Sequence, residues 1–156
     1  MGLDIIMRPI RSNRRIKLEH SIGAVIKYDN PSTGEQYPAF LLLRNRRGYW
    51  GFPQGHKESG ESEMQTLKRE VNEETGIRSM DVLSYIGAIR YSYFRTDGMK
   101  NEKEVKFYFA TTPVRNIIIS SEHESYKWVT FVEALNFLNH RQLKSIFMKG
   151  HNKGLY

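Results

Sequence analysis

The chain contains no cysteine among its 156 residues. Disulfide bonds, a thiolate nucleophile and zinc held by cysteine are therefore excluded. It also has no apolar run long enough for a membrane-spanning helix. The first fifteen residues, MGLDIIMRPIRSNRR, are interrupted by Asp4 and Arg8, where a secretory signal peptide would need an apolar core. We therefore expect a cytoplasmic protein with no membrane partner.

Acidic residues are fewer than basic residues. The chain carries 24 Lys and Arg against 17 Asp and Glu, which gives a formal net charge of +7 and a pI near 9.6. This excess favours polyanionic partners such as nucleotides, polyphosphates or RNA. Solubility alone would also account for it, because charge by itself specifies no ligand. The length suits a single domain over residues 1–156, with residues 1–19 as a basic arm or short edge strand, and it does not indicate an oligomeric state.

Five segments have the β-branched and aromatic composition of strands: HSIGAVIKYD, YPAFLLLRN, VLSYIGAIRYSYF, EVKFYFATT and YKWVTF. Pro31 and Gly34 predict a turn between the first two, and RTDGMKNEK predicts a hairpin loop between the third and fourth. The segment RRGYWGFPQGHKESGE, with its glycines and proline, predicts an ordered irregular loop. VEALNFLNHRQLKSIFMKG has helical apolar spacing with a break near Asn139. Strands around a central helix, with more helix at the end, predict an α/β or α+β fold.

The central helix has clear start and stop signals. Ser62 followed by Gln65 fits a capping box, which places the first helical residue at 63. Gly76 fits the left-handed position just past the end. An apolar stripe for the core runs between them, formed by Met64, Leu67 and Val71.

The same helix gathers negative charge where its dipole opposes it. Glu63, Glu70, Glu73 and Glu74 fall on one neighbouring face. The like-charge pair Glu70 and Glu74 costs roughly 0.2–0.5 kcal/mol, and carboxylates in the last turn cost roughly 0.3–1 kcal/mol more. A solvated acidic surface is one explanation of this face. The other is a divalent cation, because carboxylates converging within one turn supply the oxygen ligands that Mg²⁺ and Mn²⁺ prefer.

The preceding loop favours the second explanation. Gly55 is followed by five residues, Glu61, seven residues, and then the run 69–77, REVNEETGI. This spacing resembles the Nudix box at every fixed position, with aliphatic residues where that pattern has them. The resemblance implies a Nudix fold, in which a mixed β-sheet lies between helices and a loop–helix–loop carries the site. It also implies hydrolysis of a diphosphate linkage by water with the help of a divalent metal.

The resemblance assigns roles residue by residue. It implies a site for Mg²⁺ or Mn²⁺, one to three ions, whose ligands are the Gly55 carbonyl and the carboxylates of Glu70, Glu73 and Glu74. Glu70 is also a candidate for orienting or deprotonating water. Arg69 is expected to hold the helix carboxylates in place, and Glu61 to brace the loop.

Segments outside the box indicate a substrate. YWGFPQGHKESGE, SSEHESYKWVTFVEAL and LKSIFMKGH resemble segments of asymmetric diadenosine tetraphosphate hydrolases, which release ATP and AMP. The resemblance makes Glu122 a further metal ligand or the base, Tyr126 an adenine-stacking residue, and Lys103 and His56 phosphate contacts. Each has an ordinary alternative: a solvated loop acid for Glu122, a core residue for Tyr126, a loop hydrogen bond for His56, and a solvated lysine for Lys103.

Gln54 departs from the animal-type enzymes of that group, which have lysine there. The run FPQG is instead typical of bacterial and plant relatives, including RNA pyrophosphohydrolases that remove diphosphate from triphosphorylated RNA 5′ ends. Those enzymes usually have glycine where this chain has His56. An RNA 5′ end is therefore a second possible substrate, which the basic residues Arg8, Arg11, Arg14, Arg15 and Lys17 would suit through phosphate contacts. A non-catalytic sensor on the same fold would predict a decayed box, and no box position has decayed.

Overall fold

The computed structural model describes residues 16–34 and 39–156. The arginines of the expected basic arm, at positions 8, 11, 14 and 15, lie outside the described residues. Of the segment expected to form a basic arm or edge strand, residues 18 and 19 begin a strand that has neighbours on both of its edges.

Seven strands and three helices follow one another in the described residues. In chain order these elements are β1 Leu18–Tyr28, β2 Ala39–Asn45, β3 Trp50–Gly51, β4 Gln54–His56, α1 Glu63–Thr75, β5 Asp81–Phe94, β6 Lys100–Thr112, β7 His123–Val129, α2 Phe131–Phe137 and α3 Arg141–Asn152. The sheet has the order β3-β2-β1-β6-β5, with β4 paired to β1 and β7 paired to β2. β1 and β6 run parallel while the other pairs are antiparallel. The sheet is therefore mixed, as expected for the α+β class.

Two segments predicted as loops contain more regular structure than expected. The glycine-rich segment contains β3 and β4, so its backbone is partly fixed by the sheet. The hairpin loop between β5 and β6 is shorter than RTDGMKNEK. Its turn closes where the Arg95 N–H donates to the Met99 carbonyl, and β6 already begins at Lys100.

Both faces of the sheet carry an apolar layer. On one face Leu67 and Val71 of α1 pack against β1 and β2 residues such as Ile22 and Leu41. On the other face α2 and α3 pack on a cluster that contains Phe107. The expected sheet between helices is confirmed. In the described part of the chain, no helix is both long enough and apolar enough to span a membrane.

The helix signals are confirmed in detail. The Ser62 hydroxyl accepts from the Gln65 N–H, and the Gln65 side chain accepts from the Ser62 N–H. Gly76 ends α1 with a φ of 74°, and its N–H donates to the Asn72 carbonyl. The break near Asn139 separates α2 from α3.

Gly23 of β1 lets β4 lie close to the centre of the sheet. It pairs with Gln54 on one side and Phe107 on the other. A Cβ at this position would lie 2.6 Å from Phe107 Cε1 and 3.1 Å from Gln54 Cβ. The bare backbone of Gly23 therefore fixes where β4, and the loop that follows it, can lie.

Replacing Gly23 with Ala should lower the free energy of unfolding by about 1–3 kcal/mol, because the buried Phe107 ring has to move to admit the methyl group. Urea denaturation measures the change. Gly51→Ala is the matched control, since its Cβ would meet Leu143 at an ordinary 3.4 Å. Equal stability of the two variants would contradict the role given to Gly23.

Candidate active site

One guanidinium holds the loop after β4 against α1. Arg69 Nε donates to Glu61 Oε2 at 2.7 Å and Nη2 to Glu61 Oε1 at 2.9 Å. Nη2 also donates to the His56 carbonyl at 2.9 Å. The paired charge and hydrogen bonds lower the pKa of Glu61 to about 2. The loop-bracing role expected of Glu61 therefore depends on Arg69.

The same guanidinium reaches the acidic end of α1. Arg69 Nη1 donates to Glu70 Oε1 at 2.8 Å and lies 3.3 Å from Glu73 Oε2. The i,i+4 contact expected between Arg69 and Glu73 is thus present. Arg69 neutralises part of the repulsion among these carboxylates, and it fixes where the carboxyl group of Glu70 lies.

Gly55 and Glu70 are in direct contact. A Cβ added to Gly55 would overlap the carboxyl group of Glu70. Any other residue at position 55 would therefore displace either Glu70 or the β4 backbone. Burial raises the pKa of Glu70 above its usual value, although the hydrogen bond from Arg69 opposes this. The backbone of Gly55 and the carboxylate of Glu70 form one wall of the site.

Glu74 is the most buried of these acids, with 7% of its surface exposed. Its Oε2 accepts from the Gln54 N–H at 3.1 Å. Burial, together with the nearby carboxylates of Glu70 and Glu122, raises its pKa to about 8, although the Gln54 hydrogen bond and the charge of Lys103 oppose the shift. A nearby cation would stabilise the charged form of this group.

The remaining acids occupy different positions. Glu73 is exposed beside Arg69, and Glu122 is exposed in the turn before β7. Glu122 is close enough for its charge to raise the pKa of both Glu70 and Glu74. Glu63, expected on the same helix face, instead pairs with Lys106 of β6 at 2.6 Å. It lies two turns from Glu70, so the two side chains meet different neighbours.

Lys103 and His56 lie beside these acids. Burial lowers the pKa of Lys103, and the negative charges of Glu19, Glu74 and Glu70 oppose that shift. Partial burial and the charge of Lys103 lower the pKa of His56. The structure therefore brings both expected phosphate contacts to the acidic end of α1.

Glu19 was missed by the sequence analysis. It accepts from the Tyr93 hydroxyl at 2.6 Å and lies 4.0 Å from His56 Nδ1. Its charge also acts on Lys103. No local signal identifies it, because its hydroxyl donor is 74 residues away in the chain. Glu19 is a negative group placed between two expected phosphate contacts.

A cleft of about 550 Å³ opens beside Glu74 and Gln54. Aromatic and imidazole rings form much of its wall: Tyr49, Trp50, Phe52, Tyr91, His123 and His140. Trp50 and Tyr91 were not predicted as site residues. A tryptophan in the loop before the box and an aromatic residue on the inner face of β5 are the signals that could have identified them.

Tyr126 is not among the residues that line this cleft. Its side chain is 38% exposed. Its cross-strand partner Leu43 does line the cleft, so Tyr126 lies next to the cleft rather than in its wall. The stacking role of Tyr126 remains a prediction.

The donor set suits a hard divalent cation. Carboxylates and a backbone carbonyl are the oxygen ligands of Mg²⁺ and Mn²⁺. In residues 16–34 and 39–156, no three histidine or acidic side chains converge into a ready coordination sphere. The electrostatics nevertheless fit a cation, because Glu74 is buried among like charges and the charged form of Glu70 is disfavoured by burial.

Comparison with known proteins identifies the family. The sequence model of the NUDIX domain matches residues 21–149. The chain belongs to the Nudix hydrolase family. The mouse bis(5′-nucleosyl)-tetraphosphatase [asymmetrical] is 31% identical over 116 residues, covering 72% of this chain and 78% of the relative. The RNA pyrophosphohydrolase of Francisella tularensis subsp. mediasiatica is 40% identical over 72 residues, covering 45% of this chain and 46% of the relative.

Solved structures of Nudix proteins share the fold. The binary complex of a C. elegans Ap4A hydrolase superposes with a TM-score of 0.69 at 24% identity, covering 88% of this chain and 98% of that one. At this identity the likeness concerns the fold alone. The Nudix resemblance predicted from the box is thus confirmed over most of the chain.

Replacing Arg69 with Met should lower the free energy of unfolding by about 1–3 kcal/mol, because Glu61 and the His56 carbonyl lose their charged donor. Chemical denaturation measures the loss. Lys68→Met, one position earlier on the exposed side of α1, removes the same charge as a control. Arg69→Met and Lys68→Met variants of equal stability would show that Arg69 does not hold the loop.

Proposed function

We propose that this Nudix hydrolase is a Mg²⁺-dependent pyrophosphohydrolase that cleaves dinucleoside polyphosphates, converting diadenosine tetraphosphate into ATP and AMP. One observation carries the proposal: the buried carboxylate of Glu74 lines the same cleft as a set of aromatic rings, and this cleft is large enough for a nucleoside. A polyphosphate bound at the acids would therefore place its nucleoside among the rings. The 31% sequence identity to the mouse bis(5′-nucleosyl)-tetraphosphatase [asymmetrical] supports this substrate.

The metal would be held by the Gly55 carbonyl and the carboxylates of Glu70, Glu73, Glu74 and Glu122. Once bound, Mg²⁺ would screen the phosphate charges, lower the pKa of a coordinated water and stabilise the departing phosphate. Arg69 keeps Glu70 against Gly55 through the hydrogen bond to Oε1. The contact between Gly55 and Glu70 leaves no room for a side chain, so the carbonyl and the carboxylate can face the same ligand.

Other side chains would handle the substrate. Glu70 or Glu122 would take the proton from the attacking water, and burial favours a proton on Glu70. Lys103 and His56 would contact the phosphates from the opposite side, with Glu19 limiting the local positive charge. The rings of Trp50 and Tyr91 offer apolar faces to a base, where stacking is worth about 1–3 kcal/mol per base.

Replacing Glu73 with Gln should reduce Mg²⁺-dependent turnover by about two orders of magnitude or more, because a charged ligand is lost from the site. The exposure of Glu73 predicts a folded variant. Turnover is measured across a Mg²⁺ titration, and Mg²⁺ binding is measured separately by calorimetry. Glu124→Gln removes the same charge outside the cluster and should retain full activity. Full activity of the Glu73 variant would refute its assignment as a ligand.

A substrate panel tests the specificity. The panel contains diadenosine tetraphosphate, triphosphorylated RNA, ADP-ribose and nucleoside triphosphates. With Mg²⁺ present, diadenosine tetraphosphate should have the highest kcat/KM of these substrates. ATP and AMP should appear in equal amounts, because one asymmetric cleavage yields both. A higher kcat/KM for any other member of the panel would reject the proposed substrate.

A groove favours RNA as the second candidate. It measures about 490 Å³, and the side chains of Lys17, His20, His56 and Lys57 line it together with the carboxylates of Glu19 and Glu58. The two lysines could contact the backbone phosphates of an RNA. Lys17→Glu combined with Lys57→Glu should then impair hydrolysis of triphosphorylated RNA while sparing the dinucleotide. Equal effects on both substrates would remove this reason for considering RNA.

A further inference from the structure

Gln54 carries a buried polar atom that is unpaired within the described residues. Its side-chain Oε1 has no hydrogen-bond partner there. A buried carbonyl oxygen without a donor costs free energy, so such atoms are rare in folded proteins. Moving this oxygen toward the cleft breaks no hydrogen bond. A ligand that supplied a donor would recover the free energy that the unpaired oxygen costs.

The position of Gln54 is fixed from both sides. Its backbone N–H donates to Glu74 Oε2 at 3.1 Å, and β4 pairs it with Gly23 of β1. The side chain lines the cleft together with Trp50 and Tyr91. Gln54 therefore lies at the junction between the acidic end of the cleft and its ring-lined part.

The chemistry of a nucleotide limits what this oxygen can bind. Ionised phosphates present acceptors only, so they offer nothing to an unpaired acceptor. The donors of a nucleotide are the ribose hydroxyls and the N–H groups of the base. Along the molecule the ribose lies between the phosphates and the base, which corresponds to the place of Gln54 between the acids and the rings.

We propose that the side-chain oxygen of Gln54 accepts a hydrogen bond from a ribose hydroxyl of the bound nucleotide and makes the enzyme selective for ribonucleotides. The inference rests on the proposed function, since it assumes that a nucleotide occupies this cleft. It adds a specificity-determining residue that lies outside the metal-binding carboxylates.

Binding of three mononucleotides tests the proposal without catalysis. Calorimetry compares AMP with 2′-deoxy-AMP and 3′-deoxy-AMP on the wild-type protein and on Gln54→Met, which keeps the length of the side chain but removes the amide. Wild-type protein should bind one deoxy nucleotide roughly ten- to a hundred-fold more weakly than AMP, the usual range for an unpaired buried group. In Gln54→Met the affinities for AMP and for that deoxy nucleotide should differ by no more than about three-fold, chiefly because the variant binds AMP more weakly.

Gln142 provides a matched control. Its Oε1 is also buried and unpaired within the described residues, but Gln142 lies on α3, where its Nε2 donates to the Arg90 carbonyl. Gln142→Met should leave the ratio at the wild-type value. If Gln54→Met does not fold, as judged by circular dichroism, Gln54→Leu replaces it.

Three results would overturn the inference: equal binding of all three nucleotides by wild-type protein, no binding of AMP, or an unchanged ratio in the Gln54 variants. The inference would also be overturned if a Gln54 variant changed the relative affinity for AMP and IMP instead, because Gln54 would then contact the base. Hydrolysis of diadenosine tetraphosphate is measured in parallel. If the protein distinguishes AMP from a deoxy nucleotide but does not hydrolyse diadenosine tetraphosphate, the proposed activity is rejected and the inference about Gln54 stands. If it hydrolyses diadenosine tetraphosphate but binds all three nucleotides equally, the activity stands and the inference is rejected.

Discussion

The site depends on the Arg69 guanidinium, which donates to Glu61, Glu70 and the His56 carbonyl at 2.7–2.9 Å. These bonds tie the loop after β4 to α1 in one geometry. Other contacts also hold the loop, including the short β4 pairing, the hydrogen bond from the Lys57 N–H to the His20 carbonyl and that from the Thr66 hydroxyl to Glu61. Arg69 makes the charged contacts among them. Because the guanidinium is planar and its donors are fixed in direction, a lysine could not replace it. Arg69 therefore holds Glu61, Glu70 and the backbone of His56 relative to one another, while the Gln54 N–H holds Glu74.

Local signals were sufficient for α1 and for the identity of the family. The capping residues Ser62, Gln65 and Gly76 contact backbone groups only a few positions away, so the sequence alone predicts what they do. The i,i+4 relation of Arg69 and Glu73 is local in the same way. The mixed sheet between helices followed from the order of the elements and from the resemblance carried by the box.

Long-range packing decided what the sequence left open. Periodicity placed Glu70, Glu73 and Glu74 on one face, but it could not predict that Glu74 is buried under β4 while Glu73 is exposed. The difference depends on β4, where the Gln54 N–H donates a hydrogen bond to Glu74. Glu19 and Tyr91 were missed for a related reason, since their neighbours come from strands distant in the chain. The position of Tyr126 depended on the register of β7 against β2, which no turn signal specifies.

A divalent cation bound at the proposed site would share the carboxylates with Arg69, and this division would account for the charge at the end of α1. Arg69 takes Oε1 of Glu70 and approaches Glu73, but it donates no hydrogen bond to Glu74. Arg69 therefore balances the negative charge on the loop side of the helix, while Lys103 offsets it only in part beside Glu74, whose pKa is raised. A cation that enters from the cleft would gain most from Glu74 and would not have to displace Arg69. The helix thus tolerates an unfavourable dipole interaction because its own Arg69 supplies one positive group and the cleft leaves room for another.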